Sequence, residues 1–160
     1  MLVTKSNRQF ETAHLITIFI NMDWKYFNLK EFIKSKTAEK NNIDNTPDEM
    51  VIGNLDKLVK NILDPLRESF NHPIKITSGY RCNKLNILVG GVKNSQHLTG
   101  KAADIYPIGT SFEELVSFIK NWIKDKEFDQ CIIEKKGKSN WIHISYNELN
   151  NRHKLFTIKK

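Results

Sequence analysis

Ser95-Gln96-His97-Leu98-Thr99-Gly100-Lys101-Ala102-Ala103-Asp104 runs from a loop through a glycine turn into the start of a strand. An imidazole, His97, and a carboxylate, Asp104, stand seven positions apart in it. A second stretch, Trp141-Ile142-His143-Ile144-Ser145, alternates as a strand does and carries a second imidazole. A turn at Gly100 could bring His97 and Asp104 to one point, and a continuous sheet would set His143 beside Asp104. Two imidazoles and a carboxylate are a three-ligand set that leaves one position open on a tetrahedral zinc ion. That open position separates a catalytic site from a closed structural one. The same residues have plainer readings, which spacing alone leaves open. A buried histidine is often a satisfied core residue, an aspartate after two alanines can cap a turn, and Arg81 can be a surface ion-pair partner. His14, His72 and His153 belong to no pattern and read as surface residues.

Working outward, the chain alternates short helices with strands. Leu29 to Lys36 predicts a short helix burying Leu29, Phe32 and Ile33, and a polar loop, Asn41-Asn42-Ile43-Asp44-Asn45, follows. Thr46-Pro47-Asp48-Glu49 combines a capping box with proline at the first helical position. Apolar residues at 51, 52, 55, 58, 59, 62, 63 and 66 carry that helix to about Phe70, with Pro65 expected to kink it. Pro73 to Ser78 and Ala102 to Tyr106 read as strands, with a short helix over Asn83 to Val89 broken by Gly90-Gly91. Ser111 and Glu114 form a capping box for a helix to about Lys124 that buries Phe112, Leu115, Phe118, Ile119 and Trp122. Gln130–Glu134 and Trp141–Tyr146 read as a hairpin closed through Lys135–Asn140. The mixture predicts an α+β fold. Residues 1–22 stand apart as an N-terminal extension, and residues 23–160 form one domain.

Zinc hydrolysis also needs a base, and Glu134 is the candidate. Closing the hairpin sets Glu134 opposite Trp141 or Ile142. The tighter register puts Ile132, Glu134, Trp141 and His143 on one face. A slip of one residue turns Glu134 away.

The 160 residues are 39% hydrophobic and 27% charged, which suits one globular domain. The net charge of +7 fits a nucleic acid or an anionic polymer such as a bacterial cell wall. The lysines are scattered and no nucleic-acid motif is present, so no nucleic-acid partner is expected. Cys82 and Cys131 belong to no CxxC pair and read as free thiols. The most apolar segment, Leu15 to Ile20, is too short for a membrane span or a secretory core. No signal peptide and no stable membrane insertion are expected, and a monomer is anticipated.

Ser95-x-His97-x-x-Gly100-x-Ala102-x-Asp104 followed by Trp141-Ile142-His143 resembles the M15 zinc peptidases. These comprise D-alanyl-D-alanine carboxypeptidases and dipeptidases and phage-type L-alanyl-D-glutamate endolysins, which share a fold with the hedgehog signalling domain. Thr77-Ser78-Gly79-Tyr80-Arg81 and two N-terminal stretches, Tyr26-Phe27-x-Leu29-x-Glu31 and Ile43-Asp44-Asn45-Thr46-Pro47, also resemble the small branch common in phages and prophages. The likeness spans residues 24–147. It implies a hedgehog/DD-peptidase-like α+β fold, with a mainly antiparallel central sheet and flanking helices. It further implies zinc on His97, Asp104 and His143, and hydrolysis of a peptidoglycan stem peptide. Arg81 would bind or polarise substrate, Ser95 would brace the metal loop or touch substrate, and Gln96 would hydrogen-bond substrate. Several members place an acid three residues before the last histidine. Here that position is Asn140, so the resemblance leaves the base to Glu134. A wall substrate implies action outside the cytoplasmic membrane, by phage-type release or export. A zinc-stabilised binding module without catalysis is the alternative that the hedgehog likeness permits.

Overall fold

The computed structural model describes residues 22–137 and 139–159. Leu15 to Ile20, His14 and all but Met22 of the N-terminal extension lie outside the described residues.

Helix α1 (Leu29–Ile33) is opened by a capping box between Asn28 and Glu31 and buries Leu29 and Phe32. It ends before the expected Lys36, because Ser35 starts a second helix, α2 (Lys36–Lys40), by accepting the Ala38 N–H. Helix α3 (Glu49–Leu58) is capped by Asp48, which accepts the Val51 N–H, rather than by Thr46. The Thr46 N–H is instead held by the Asp44 side chain at 2.9 Å, an Asx turn that leaves Pro47 ahead of the helix. A π turn (Val59–Leu63) leads into α4 (Asp64–Phe70). The Asp64 N–H reaches back five residues to the Val59 carbonyl. A proline lacks the N–H and crowds the carbonyl four residues back, so the chain widens by one residue just before Pro65. The apolar stripe survives: Val51, Ile52, Leu55, Leu58, Val59, Ile62, Leu63 and Leu66 are all buried.

Among the described residues, five strands form one sheet in the order β1-β2-β4-β3-β5. They are β1 (Ile74–Ser78), β2 (Ala102–Pro107), β3 (Gln130–Lys136), β4 (Ser139–Ser145) and β5 (Lys154–Lys159). All neighbours are antiparallel except β3 and β5. Among the described residues, the remaining α-helices are α5 (Asn83–Leu88) and α6 (Phe112–Trp122). Helix α6 carries the expected Ser111–Glu114 capping box. Strand β5 had no counterpart in the sequence reading. It is an edge strand with no fully buried residue, so it lacks the alternation that marks the others.

Ile74, Ile76, Ala103, Ile105, Cys131, Ile133, Ile142 and Ile144 line the buried sheet face and join the helices in one core. Directly paired residues point to the same side of a sheet. The other face therefore carries Asp104, His143 and Ile132 in one row, since Asp104 pairs with His143 and His143 with Ile132. Glu134 pairs with Trp141 on that same face, which is the tighter hairpin register.

Gly79 lets the chain leave β1 against α1. A Cβ there would lie 2.4 Å from the Phe32 carbonyl oxygen, and the Tyr80 N–H donates to that oxygen at 2.7 Å. Among the described residues no helix is long and apolar enough to cross a membrane.

Candidate metal centre and cleft

His97 sits in a 3-10 turn (Gln96–Thr99) that ends on Gly100 at φ +70°. A side chain at Gly100 would meet the Val51 carbonyl at 2.6 Å, so glycine is needed for both the turn and the fit against α3. The turn drops His97 onto the row where Asp104 and His143 stand. His97 Nε2 lies 3.2 Å from His143 Nδ1 and 3.3 Å from Asp104 Oδ1, and His143 Nδ1 lies 3.1 Å from the same oxygen. A tetrahedral metal with bonds of about 2.0–2.1 Å separates its ligands by about 3.3 Å. The triangle therefore has the size of one face of such a tetrahedron, and the three residues could hold a metal ion.

The protonation pattern suits that use. His97 Nδ1 lies 2.7 Å from the Gly79 carbonyl, which can only accept. The proton is then on Nδ1, and Nε2 presents a lone pair to the cluster. Burial pushes the Asp104 carboxyl up. When His97 and His143 are protonated, their charge and hydrogen bonds outweigh that and hold it well below the usual carboxylate range.

The cluster opens on a cleft of about 450 Å³ that also receives Arg81, Ser95, Gln96 and Glu134. Arg81 leaves β1 just after Gly79, and its segment is fastened at three points. Its N–H donates to the His97 carbonyl at 3.1 Å. Its two terminal nitrogens donate to Ser78 Oγ at 3.1 Å and Ser95 Oγ at 3.3 Å. Burial lowers the Arg81 pKa, partly offset by the charges of Asp104 and Glu134. Both acids are thus within electrostatic reach of the guanidinium. A larger hollow of about 620 Å³ lies on the other side of Arg81, lined by Lys34, Lys36 and Lys75 among others, away from the ligand cluster.

The expected site residues gather at this cleft, with two revised contacts. Ser95 holds Arg81 directly. The Gln96 side chain donates through Nε2 to Asp129 at 2.6 Å, and its Oε1 is buried without a partner. Gln96 thus links the metal loop to Asp129 and does not extend a free amide into the cleft. Asn140 pairs with Lys135, away from the row of ligands. Cys82 and Cys131 are free thiols, and His72 and His153 are exposed.

The sequence reading missed three contributors. The Gly79 carbonyl orients His97, and no side chain advertises it. Asn45 donates to the Ile33 and Tyr80 carbonyls and accepts the Cys82 N–H, locking the segment around Arg81. Arg152 lines the cleft from just before β5. An asparagine in a polar loop and an arginine in a basic tail carry no local signal; only long-range contacts give them roles.

No curated protein matches the chain. The Peptidase M15 family description matches residues 25–145, which include all three candidate metal ligands, Arg81 and Glu134. With a matching α+β fold and a His-Asp-His cluster of metal-binding size, the chain belongs to the Peptidase M15 family of metallopeptidases.

Proposed function

We propose that the protein is a zinc-dependent peptidase that cleaves a peptide bond in bacterial peptidoglycan. The observation that carries this reading is a three-residue cluster of metal-binding size on a cleft that also holds an acid, Glu134, and a half-buried arginine, Arg81. The donor set of two imidazole nitrogens and a carboxylate suits zinc and leaves a coordination position for water or substrate. A zinc ion held by His97, Asp104 and His143 supplies Lewis acidity, bringing the ionisation of water toward neutral pH and polarising a carbonyl.

The protein's own groups do the remaining work. Glu134 accepts the proton of the attacking water and delivers it to the leaving amine nitrogen. Arg81 stabilises negative charge developing on the scissile carbonyl oxygen, or holds a substrate carboxylate, with donors already set by Ser78 and Ser95. Gly79 keeps the His97 lone pair aimed at the cluster. The net charge of +7 favours encounter with an anionic wall. The wall lies outside the cytoplasmic membrane, so the protein would reach it by export or by release through a membrane lesion.

Digestion of purified cell walls, with and without a chelator, tests the reading. Mass spectrometry then separates loss of terminal D-Ala from internal cleavage. Activity that is lost to the chelator and restored by zinc supports it. Chelator-insensitive activity, or zinc binding with no cleavage, overturns it; the second outcome would leave a zinc-stabilised binding module. Glu134→Gln should retain zinc and lose about 10²–10⁴-fold in turnover. Near-native turnover would remove Glu134 as the base.

A further inference from the structure

Arg152 lies beyond the segment matched to the family, which ends at residue 145, yet it lines the same cleft as the metal cluster. It is fixed there by Asp129, whose side chain is 1% exposed. Arg152 Nε donates to Asp129 Oδ1 at 2.7 Å and one terminal nitrogen donates to Oδ2 at 2.5 Å. The Arg152 backbone N–H adds a third bond, to Oδ1 at 3.1 Å. Asp129 Oδ2 also receives Gln96 Nε2, and Gln96 is the immediate neighbour of His97. The guanidinium is therefore tied to the metal loop through one buried carboxylate.

A guanidinium has five N–H donors. The side-on pairing with Asp129 occupies two, and the other three have no partner among the described residues. The Arg152 side chain is 43% exposed and lines the cleft, which leaves those donors open to a ligand there. Ile132 and Ile158 also line the cleft and make part of its wall apolar. Arg81 enters the cleft after β1 and Arg152 enters before β5, at opposite edges of the sheet. The row of metal ligands lies between them.

We propose that Arg152 is a specificity-determining residue that grips a free carboxylate of the peptide substrate, on the side of the metal cluster away from Arg81. Asp129 and Gln96 are its positioning residues. A planar fork held rigid by a buried acid loses little freedom on binding, and its free edge matches a carboxylate better than a neutral amide. This rests on the peptidase reading for its substrate class, although the binding it describes does not depend on turnover.

The probes are three synthetic pentapeptides based on L-Ala-γ-D-Glu-L-Lys-D-Ala-D-Ala. The first is unmodified, the second carries a carboxamide at the glutamyl α-carboxylate, and the third a C-terminal carboxamide. Affinity for the zinc-loaded protein is measured by calorimetry, and cleavage by mass spectrometry. One of the two amidations should weaken binding to the wild type by about tenfold to a hundredfold, the range of a charge-assisted hydrogen bond. Arg152→Gln should bind the unmodified peptide and the discriminated amide alike, at the wild-type affinity for that amide. Arg152→Lys keeps a positive partner for Asp129 but lacks the fork, and should recover only part of the preference. Zinc affinity should stay near wild type on each variant, whereas the thermal midpoint of Arg152→Gln should fall because the buried Asp129 carboxylate loses its cation, so binding is compared well below that midpoint. The proposal fails if the wild type ignores both amidations, if Arg152→Gln keeps the full preference, or if the variant loses affinity for all three peptides equally. A preference that Arg152→Gln abolishes, in a wild type that cleaves none of the peptides, would retain Arg152's role and refute the peptidase reading.

Discussion

Gly79→Ala couples the fold to the metal centre in one substitution. The new Cβ would sit 2.4 Å from the Phe32 oxygen, 2.5 Å from its Cα and 2.8 Å from its carbonyl carbon. Ordinary contact begins at 3.4 Å, so β1 and α1 must part by about 3.4 − 2.4 = 1.0 Å. The obstacle is backbone, and no side chain can swing aside. Overpacking of this kind costs about 1–3 kcal/mol. Straining the 2.7 Å bond from Tyr80 N–H to Phe32 adds about 1 kcal/mol. A total of about 2–4 kcal/mol should lower the thermal midpoint by about 4–16 °C in a chain of this size. The same shift moves the Gly79 carbonyl that holds His97 Nδ1, so zinc affinity should fall about tenfold to a hundredfold. Thermal unfolding by circular dichroism and competition titration against a zinc indicator read the two effects. A variant that melts within about 1 °C of wild type refutes the steric reasoning. One that melts early but binds zinc normally refutes the link from Gly79 to His97.

Gly53 offers the opposite case. It lies inside α3 with nothing within 4 Å of a Cβ, so Gly53→Ala should stabilise by about 0.5–1 kcal/mol in urea unfolding, and any loss would contradict the open environment. Burial pushes the Asp129 carboxyl up, but its bonds to Arg152 and Gln96 outweigh this and lower its pKa in the folded protein. A lowered folded pKa contributes stability above the unfolded value of about 3.9 that is lost as pH falls through the folded value. The gap between wild type and Asp129→Asn should hold from pH 7 to about pH 5 and shrink below about pH 4; a gap still undiminished at pH 3 would disprove it. Burial pushes the Cys131 thiol up to about 12, whereas Cys82 is partly exposed. An alkylating reagent at about pH 8 should modify one thiol quickly in the native protein and two in denaturant, and two fast native thiols would contradict the burial of Cys131.

The candidate metal ligands were legible because their chemistry is local. His97 precedes a glycine turn, Asp104 opens an alternating strand, and His143 sits in another. The Ser111–Glu114 capping box and the apolar stripe from Val51 to Leu66 were legible for the same reason, since caps and periodicity are written within a few turns. The start of α3 was misplaced by two residues because Thr46 and Asp48 are both acceptable caps. The choice fell to Asp44, which had already taken the Thr46 N–H. Strand β5 was illegible because an exposed edge strand needs no buried alternation; its backbone pairing with β3 is enough to hold it.

The sequence by itself determined the candidate ligand types, the order of most elements and Glu134 as the candidate base. It left two hairpin registers open, because a slip of one residue exchanges the faces of a strand while keeping the same alternation. Tertiary structure decided for Glu134 opposite Trp141, since Ile133 and Ile142 must both enter the core. It also decided how His97 is oriented and what Arg152 faces. Those depend on a backbone carbonyl 18 positions away and a buried carboxylate 23 positions away, separations across which no local pattern can report.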